Sequence, residues 1–130
     1  MKAIQVNRFG GPEVMEYLDV ADPSPQSNEE LIAVTSIGIN YADTHQTENG
    51  YLSPQVLPLI PGLEVVGHTN SGRRVLASVE HGGYAQKAVA KKPLLIDIPR
   101  WGHRWTSLMH VGAGFDRVAH FENGGTSATG

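Results

Sequence analysis

The chain contains no cysteine, which excludes a disulfide scaffold, a thiolate zinc site and a thiol nucleophile together. No apolar run approaches the roughly 18 residues that a membrane-spanning helix needs. The opening MKAIQVNRFG lacks the hydrophobic block of a secretory leader. There is no basic excess either: 10 Lys+Arg stand against 13 Asp+Glu, a net charge of −3 spread without runs. Nucleic acid and anionic membrane surfaces are therefore not expected partners. What is present, in 130 residues, suffices for one domain with a single core. A cytoplasmic, mildly acidic globular protein is expected.

Branched aliphatics are scarce in one place only. Residues 1–100 hold 26 Leu, Ile and Val, whereas 101–130 hold three: Leu108, Val111 and Val118. Both tryptophans, three of the six histidines and six of the fifteen glycines also fall in that last stretch, and none of the eight prolines does. So little aliphatic surface does not offset an ordering cost of about 1–2 kcal/mol per residue. The expectation is a folded domain over 1–99 and a disordered tail over 100–130.

Up to Pro99 the text reads as β. Lys2–Val6 alternates, with Ile4 and Val6 on one face, and Met15–Val20 follows a Gly-Gly-Pro turn. Leu31–Thr35, running on to Ile39, is apolar enough for a strand covered on both faces. Leu63–Thr69 alternates, Val75–Val79 is apolar, and Tyr84–Ala90 alternates again. Short strands with Gly/Pro punctuation predict a mainly β fold, a closed or partly closed barrel. One segment breaks the pattern. Asn40 suits an N-cap, Asp43 the first helical turn and Asn49-Gly50 a stop, so a helix of about two turns is predicted to begin at Tyr41 or Ala42.

A strand running straight into a capped helix makes a concave corner with free backbone N–H groups, suited to a phosphate or a polarised carbonyl. Asn40, Tyr41, Asp43, Thr44 and His45 place donors and acceptors within one turn there. Capping alone also accounts for Asn40 and Asp43, and the residues by themselves leave both readings open. Glu64 reads best as a buried acceptor for backbone, since no cysteine exists and His68 lies two pleats away on the same strand. His68 and His81 read as solvated edge histidines. Tyr51 and Tyr84, beside glycines, either stack on a ligand or cover the barrel. The run Val111-Gly112-Ala113-Gly114-Phe115-Asp116 lacks the buried strand and following helix of a dinucleotide fingerprint, and is rejected as one.

Residues 35–67, TSIGINYADTHQTENGYLSPQVLPLIPGLEVVG, resemble the N-terminal catalytic domain of zinc-independent medium-chain dehydrogenase/reductases of the quinone oxidoreductase (zeta-crystallin-like) branch. MKAIQVNRFGGPEVMEYLDV, Gly-Arg-Arg-Val at 72–75 and Gly-Gly-Tyr-Ala at 82–85 fit the same pattern, so the resemblance covers 1–99. It implies a GroES-like β-barrel with one or two short helices, followed in the family by a Rossmann domain that is missing here. It implies NADPH as cofactor, hydride transfer to a quinone or related carbonyl, no metal, and homodimers among full-length members. The family's cofactor contacts fall on Asn40, Tyr41, Ala42, Asp43, Thr44 and His45, and Tyr51 matches a cleft tyrosine that meets the substrate. No residue is singled out as catalytic. Two departures stand away from the cleft: Gln26–Glu30 replaces a Pro/Gly-rich approach, and the loop before Arg73 is short. An enoyl or alkenal reductase of the same superfamily is the alternative enzyme. A non-enzymatic GroES-like module or a pseudogene product is the alternative outside enzymology.

Beyond Pro99 the resemblance stops, and the genetic code offers a reason. Read one base later, the codons of Val111–Glu122 permit LVQGLTAWHILR, similar to the family's entry into its cofactor domain. Arg100-Trp101-Gly102 likewise permits D-G-V. Residues 100–130 are therefore expected to be out-of-frame translation. The fragment is expected to bind NADPH weakly or not at all, and to be inactive alone.

Overall fold

A computed structural model describes residues 1–99 and, as backbone only, a short strand at Arg117–His120. The elements run β1 (Lys2–Val6), a 3-10 turn (Pro12–Val14), β2 (Met15–Asp19), β3 (Glu29–Ile39), α1 (Tyr41–Thr47), β4 (Glu64–Thr69), β5 (Arg74–Ser78) and β6 (Lys87–Lys91). A second 3-10 turn (Lys92–Leu94), β7 (Leu95–Asp97) and β8 (Arg117–His120) complete them. Expected disorder over 100–130 otherwise lies outside the described residues, as does the rejected glycine run at 111–116.

β1 and β2 form an antiparallel ribbon, and the larger sheet has the order β6-β3-β4-β5-β7, with β8 also on β3. Every pairing is antiparallel. The ribbon is tied across the sheet by Ile4 N–H to Tyr84 C=O (2.8 Å) and by a reciprocal pair between Val6 and Leu59 (2.7 and 2.9 Å). These bonds curl the two sheets into a half-barrel around Ile32, Val34, Val65, Val75 and Ala77. A smaller cluster of Val6, Val14 and Leu59 sits under the ribbon.

β3 is the spine. Its first half alternates, with Ile32 and Val34 buried and Ala33 exposed, and only Ser36–Gly38 is covered on both faces. A bulge between Val34 and Ser36 separates the halves, where β3 meets β4. Beside it, a Cβ on Gly67 would stand 2.1 Å from the Ala33 carbonyl oxygen, so only glycine lets the strands approach.

Several expectations shift. The strand read over Tyr84–Ala90 begins at Lys87, because Tyr84 is held in a turn by its N–H to the Pro61 carbonyl (2.9 Å). On β1, Ala3 and Val6 are the buried residues, whereas Ile4 is half-buried; Ala3 bridges Ala85. On β4, Val65, Val66 and Gly67 are all buried, so the strand is covered on both faces. β7 and both 3-10 turns went unread as such.

Candidate functional site

α1 begins where predicted, at Tyr41, one residue beyond β3. Asn40 is extended (φ −119°, ψ 150°), as an N-cap should be, and its backbone N–H donates to Asp43 Oδ2 at 2.9 Å. At the other end Asn49 takes φ 57° and Gly50 N–H returns to the His45 carbonyl at 2.8 Å. The left-handed stop is thus the asparagine, not the glycine.

What holds so short a helix is tertiary, since seven residues do not form a stable helix unaided. Gln46 is fully buried at 0% exposure. Its amide oxygen accepts the Gly62 N–H at 2.9 Å, and its amide nitrogen donates to the Glu80 carbonyl at 2.9 Å. One side chain thereby pins α1 to the loop before β4 and to the turn after β5. Gly62 (φ 107°) lies so close to the next turn that a Cβ would sit 2.6 Å from the Tyr84 ring and 2.9 Å from Gly83 Cα. That close approach presses Tyr84 toward α1.

The Tyr84 hydroxyl donates to Asp43 Oδ2 at 2.5 Å, and the Asn40 side-chain amide donates to Glu64 Oε2 at 3.3 Å. Burial raises the Asp43 carboxyl above its ordinary value, outweighing the two donors that favour its charged form. Burial raises Glu64 as well, and the Asp43 charge adds to the effect, against the Asn40 donor. Tyr84 is pushed far up, by burial first and then by its bond to Asp43.

Above this base lies an open surface. Tyr41 is 79% exposed, and its ring meets the His45 ring edge-on at 5.0 Å between centroids. Thr44 is exposed, with its hydroxyl donating to the Tyr41 carbonyl at 2.7 Å; Ala42 is half-buried. Asp43, by contrast, is buried at 4% exposure. Tyr51 is half-buried in the following loop, which Asn49 ties down by accepting the Gln55 N–H at 3.0 Å. Leu52 and Val56 of that loop project into solvent.

Sequence placed the six corner residues on one turn, and the structure divides them between a surface (Tyr41, Thr44, His45) and a buried support (Asp43), with Asn40 joining the two. Glu64 is an acceptor as expected, but for the Asn40 side chain rather than for backbone. Gln46 had no assigned role; its partners are 16 and 34 residues away, which no local pattern reveals. A cavity of about 280 Å³ lies elsewhere, between the chain start and the β5–β6 region, lined by Gln5, Ile60, Glu80, His81 and Lys91 among others and by no corner residue.

No family model matches the chain. Among curated proteins, the quinone oxidoreductase of Sus scrofa is 40% identical over 111 residues, and that of Lama guanicoe 38%, each covering 76% of this chain and 34% of the relative. Among solved structures, the quinone oxidoreductase from Thermus thermophilus, determined alone and with NADPH, is 37% identical with a TM-score of 0.69. It covers 77% of this chain and 33% of that one. The Escherichia coli quinone oxidoreductase complexed with NADPH superposes with a TM-score of 0.70 at 25% identity, covering 76% of this chain and 33% of its own. The chain belongs to the quinone oxidoreductase family. It spans about a third of the length of the quinone oxidoreductases it matches, and its half-barrel is the GroES-like domain that the resemblance implied. Among the described residues, no helix is long and apolar enough to cross a membrane.

Proposed function

We propose that this chain is the N-terminal portion of an oxidoreductase that transfers a hydride from NADPH to a quinone or related carbonyl, with the Asn40–His45 corner contacting the cofactor. The reading is carried by one observation: an exposed Tyr41–His45 ring pair mounted on a helix that Gln46 and Asp43 lock from beneath. Such a surface is open to a ligand yet pre-organised, which lowers the ordering cost of binding.

The residues present fit a nicotinamide nucleotide. Tyr41 and His45 offer ring faces and edges, and Thr44 keeps acceptor capacity after giving its hydrogen to the Tyr41 carbonyl. Ala42 is small enough to leave room above the backbone. Asp43 serves through the support it gives Asn40, and Tyr51 with its apolar loop meets the acceptor. NADPH, when bound, supplies the hydride; the chain binds, orients and excludes water.

We further propose that residues 100–130 are out-of-frame, and that a cofactor domain encoded in the other frame is needed for turnover. Support comes from the shifted text after Pro99, and from relatives that match over a share of this chain equal in length to 1–99. The test is an NADPH titration of the isotopically labelled chain, followed by amide NMR. Weak, unsaturated shifts confined to Tyr41–His45 and Tyr51 are expected. Shifts confined to the cavity near His81, or none at all, would overturn the assignment.

A further inference from the structure

Beneath the corner, two carboxyl groups meet on one asparagine. Asp43 takes the Asn40 backbone N–H and the Tyr84 hydroxyl on the same oxygen, Oδ2. Its other oxygen, Oδ1, is fully enclosed and has no hydrogen-bond donor among the described residues. Glu64, half-buried on β4, takes the Asn40 side-chain amide and feels the Asp43 charge. None of the ion pairs among the described residues involves either carboxyl. The titratable groups that face Asp43 are Glu64 from β4 and Tyr84 from the turn before β6. On its own helix, the His45 ring lies against Tyr41 and Glu48 is exposed.

An enclosed carboxylate oxygen without a donor is costly, and two such groups without a cation are costlier. A proton relieves both costs at once: it supplies the missing hydrogen and removes one of two like charges. We propose that Asp43 and Glu64 act as a coupled carboxyl pair that retains one proton near neutral pH, and that this proton fixes Asn40 and the first turn of α1. The two are positioning residues, and the inference rests on the corner reading only for its functional consequence. Loss of the proton leaves two negative charges pulling on opposite ends of Asn40, and the turn that carries Tyr41 loosens.

The experiment is a pH titration of the full chain, following side-chain carboxyl carbons by NMR, in the native protein and in Asp43→Asn and Glu64→Gln. Two separated steps are expected in the native chain, with the Asn40 and Tyr41 amides moving with the upper one. Either substitution should leave a single step, its midpoint lower than the native upper step by on the order of one pH unit. Glu64→Gln keeps the acceptor and leaves the α1 cap intact, so it decides the matter if Asp43→Asn does not fold. Two carboxyls titrating together near the ordinary value of about 4, or a remaining carboxyl unmoved by loss of its neighbour, would overturn the proposal. No cofactor enters the measurement, so it fails or succeeds separately from the NADPH titration.

Discussion

Replacing Gln46 by methionine keeps nearly the same length and volume while deleting both hydrogen bonds that anchor α1. The Gly62 N–H is then left buried without a partner, at a cost of about 1–3 kcal/mol. The Glu80 carbonyl, part-buried and closer to water, loses a bond with a net value of about 0.5–1.5 kcal/mol. Gly62 has no room to move toward another acceptor, because Gly83 and Tyr84 already crowd it. Together the loss should be about 2–4 kcal/mol, a large part of the 5–15 kcal/mol typical of a whole domain. Urea unfolding measures it: the midpoint should fall with the slope unchanged. Amide exchange should rise across Tyr41–Thr47 before it rises in β3. A loss under about 0.5 kcal/mol, the size of an ordinary surface change, would refute the claim that Gln46 holds the helix.

Two further outcomes follow from the same geometry. Asp43 and Glu64 hold protons more tightly folded than unfolded. Their stabilising contribution is therefore full below the ordinary carboxyl value of about 4 and is lost as pH rises through the raised folded values. Asp22 and Glu80, held low by hydrogen bonds from Lys87 and Lys91, act in the opposite sense at lower pH. Urea midpoints taken between about pH 4 and pH 8 should thus fall less steeply in Asp43→Asn than in the native chain. In β8, Val118→Pro removes a backbone N–H and obstructs pairing with Gly38. Exchange should quicken at Ser36–Ile39 while Glu29–Ala33, paired with β6, stays protected; equal rates with and without the substitution would show that β8 does not cover that edge.

Local chemistry made much of this architecture legible. Asn40, Asp43 and Asn49-Gly50 are separated by the lengths of a cap, a first turn and a stop, so α1 could be placed to the residue. The β3, β4 and β5 strands were visible as aliphatic runs between glycines and prolines. β7 was not, because Leu95–Asp97 is three residues long and mostly exposed, too short for any alternation to register. Tyr84 looked like the first residue of a strand. Its conformation is instead set by Gly62, more than twenty positions earlier, whose missing Cβ lets two turns touch. The corner was legible as a group of residues but not as two layers. Whether Asp43 faces water or Tyr84 depends on a contact across 41 positions, and nothing in the helix's own sequence encodes it.

The central claim is that the Asn40–His45 corner is the cofactor-facing half of an NADPH-dependent quinone reductase whose second half lies in another reading frame. The most direct measurement restores that frame after Pro99 and follows NADPH absorbance on addition of a quinone, with and without Tyr41→Ala. The account predicts quinone-dependent NADPH oxidation by the repaired two-domain protein, reduced by the substitution. A folded two-domain product that oxidises no NADPH with any quinone would contradict it.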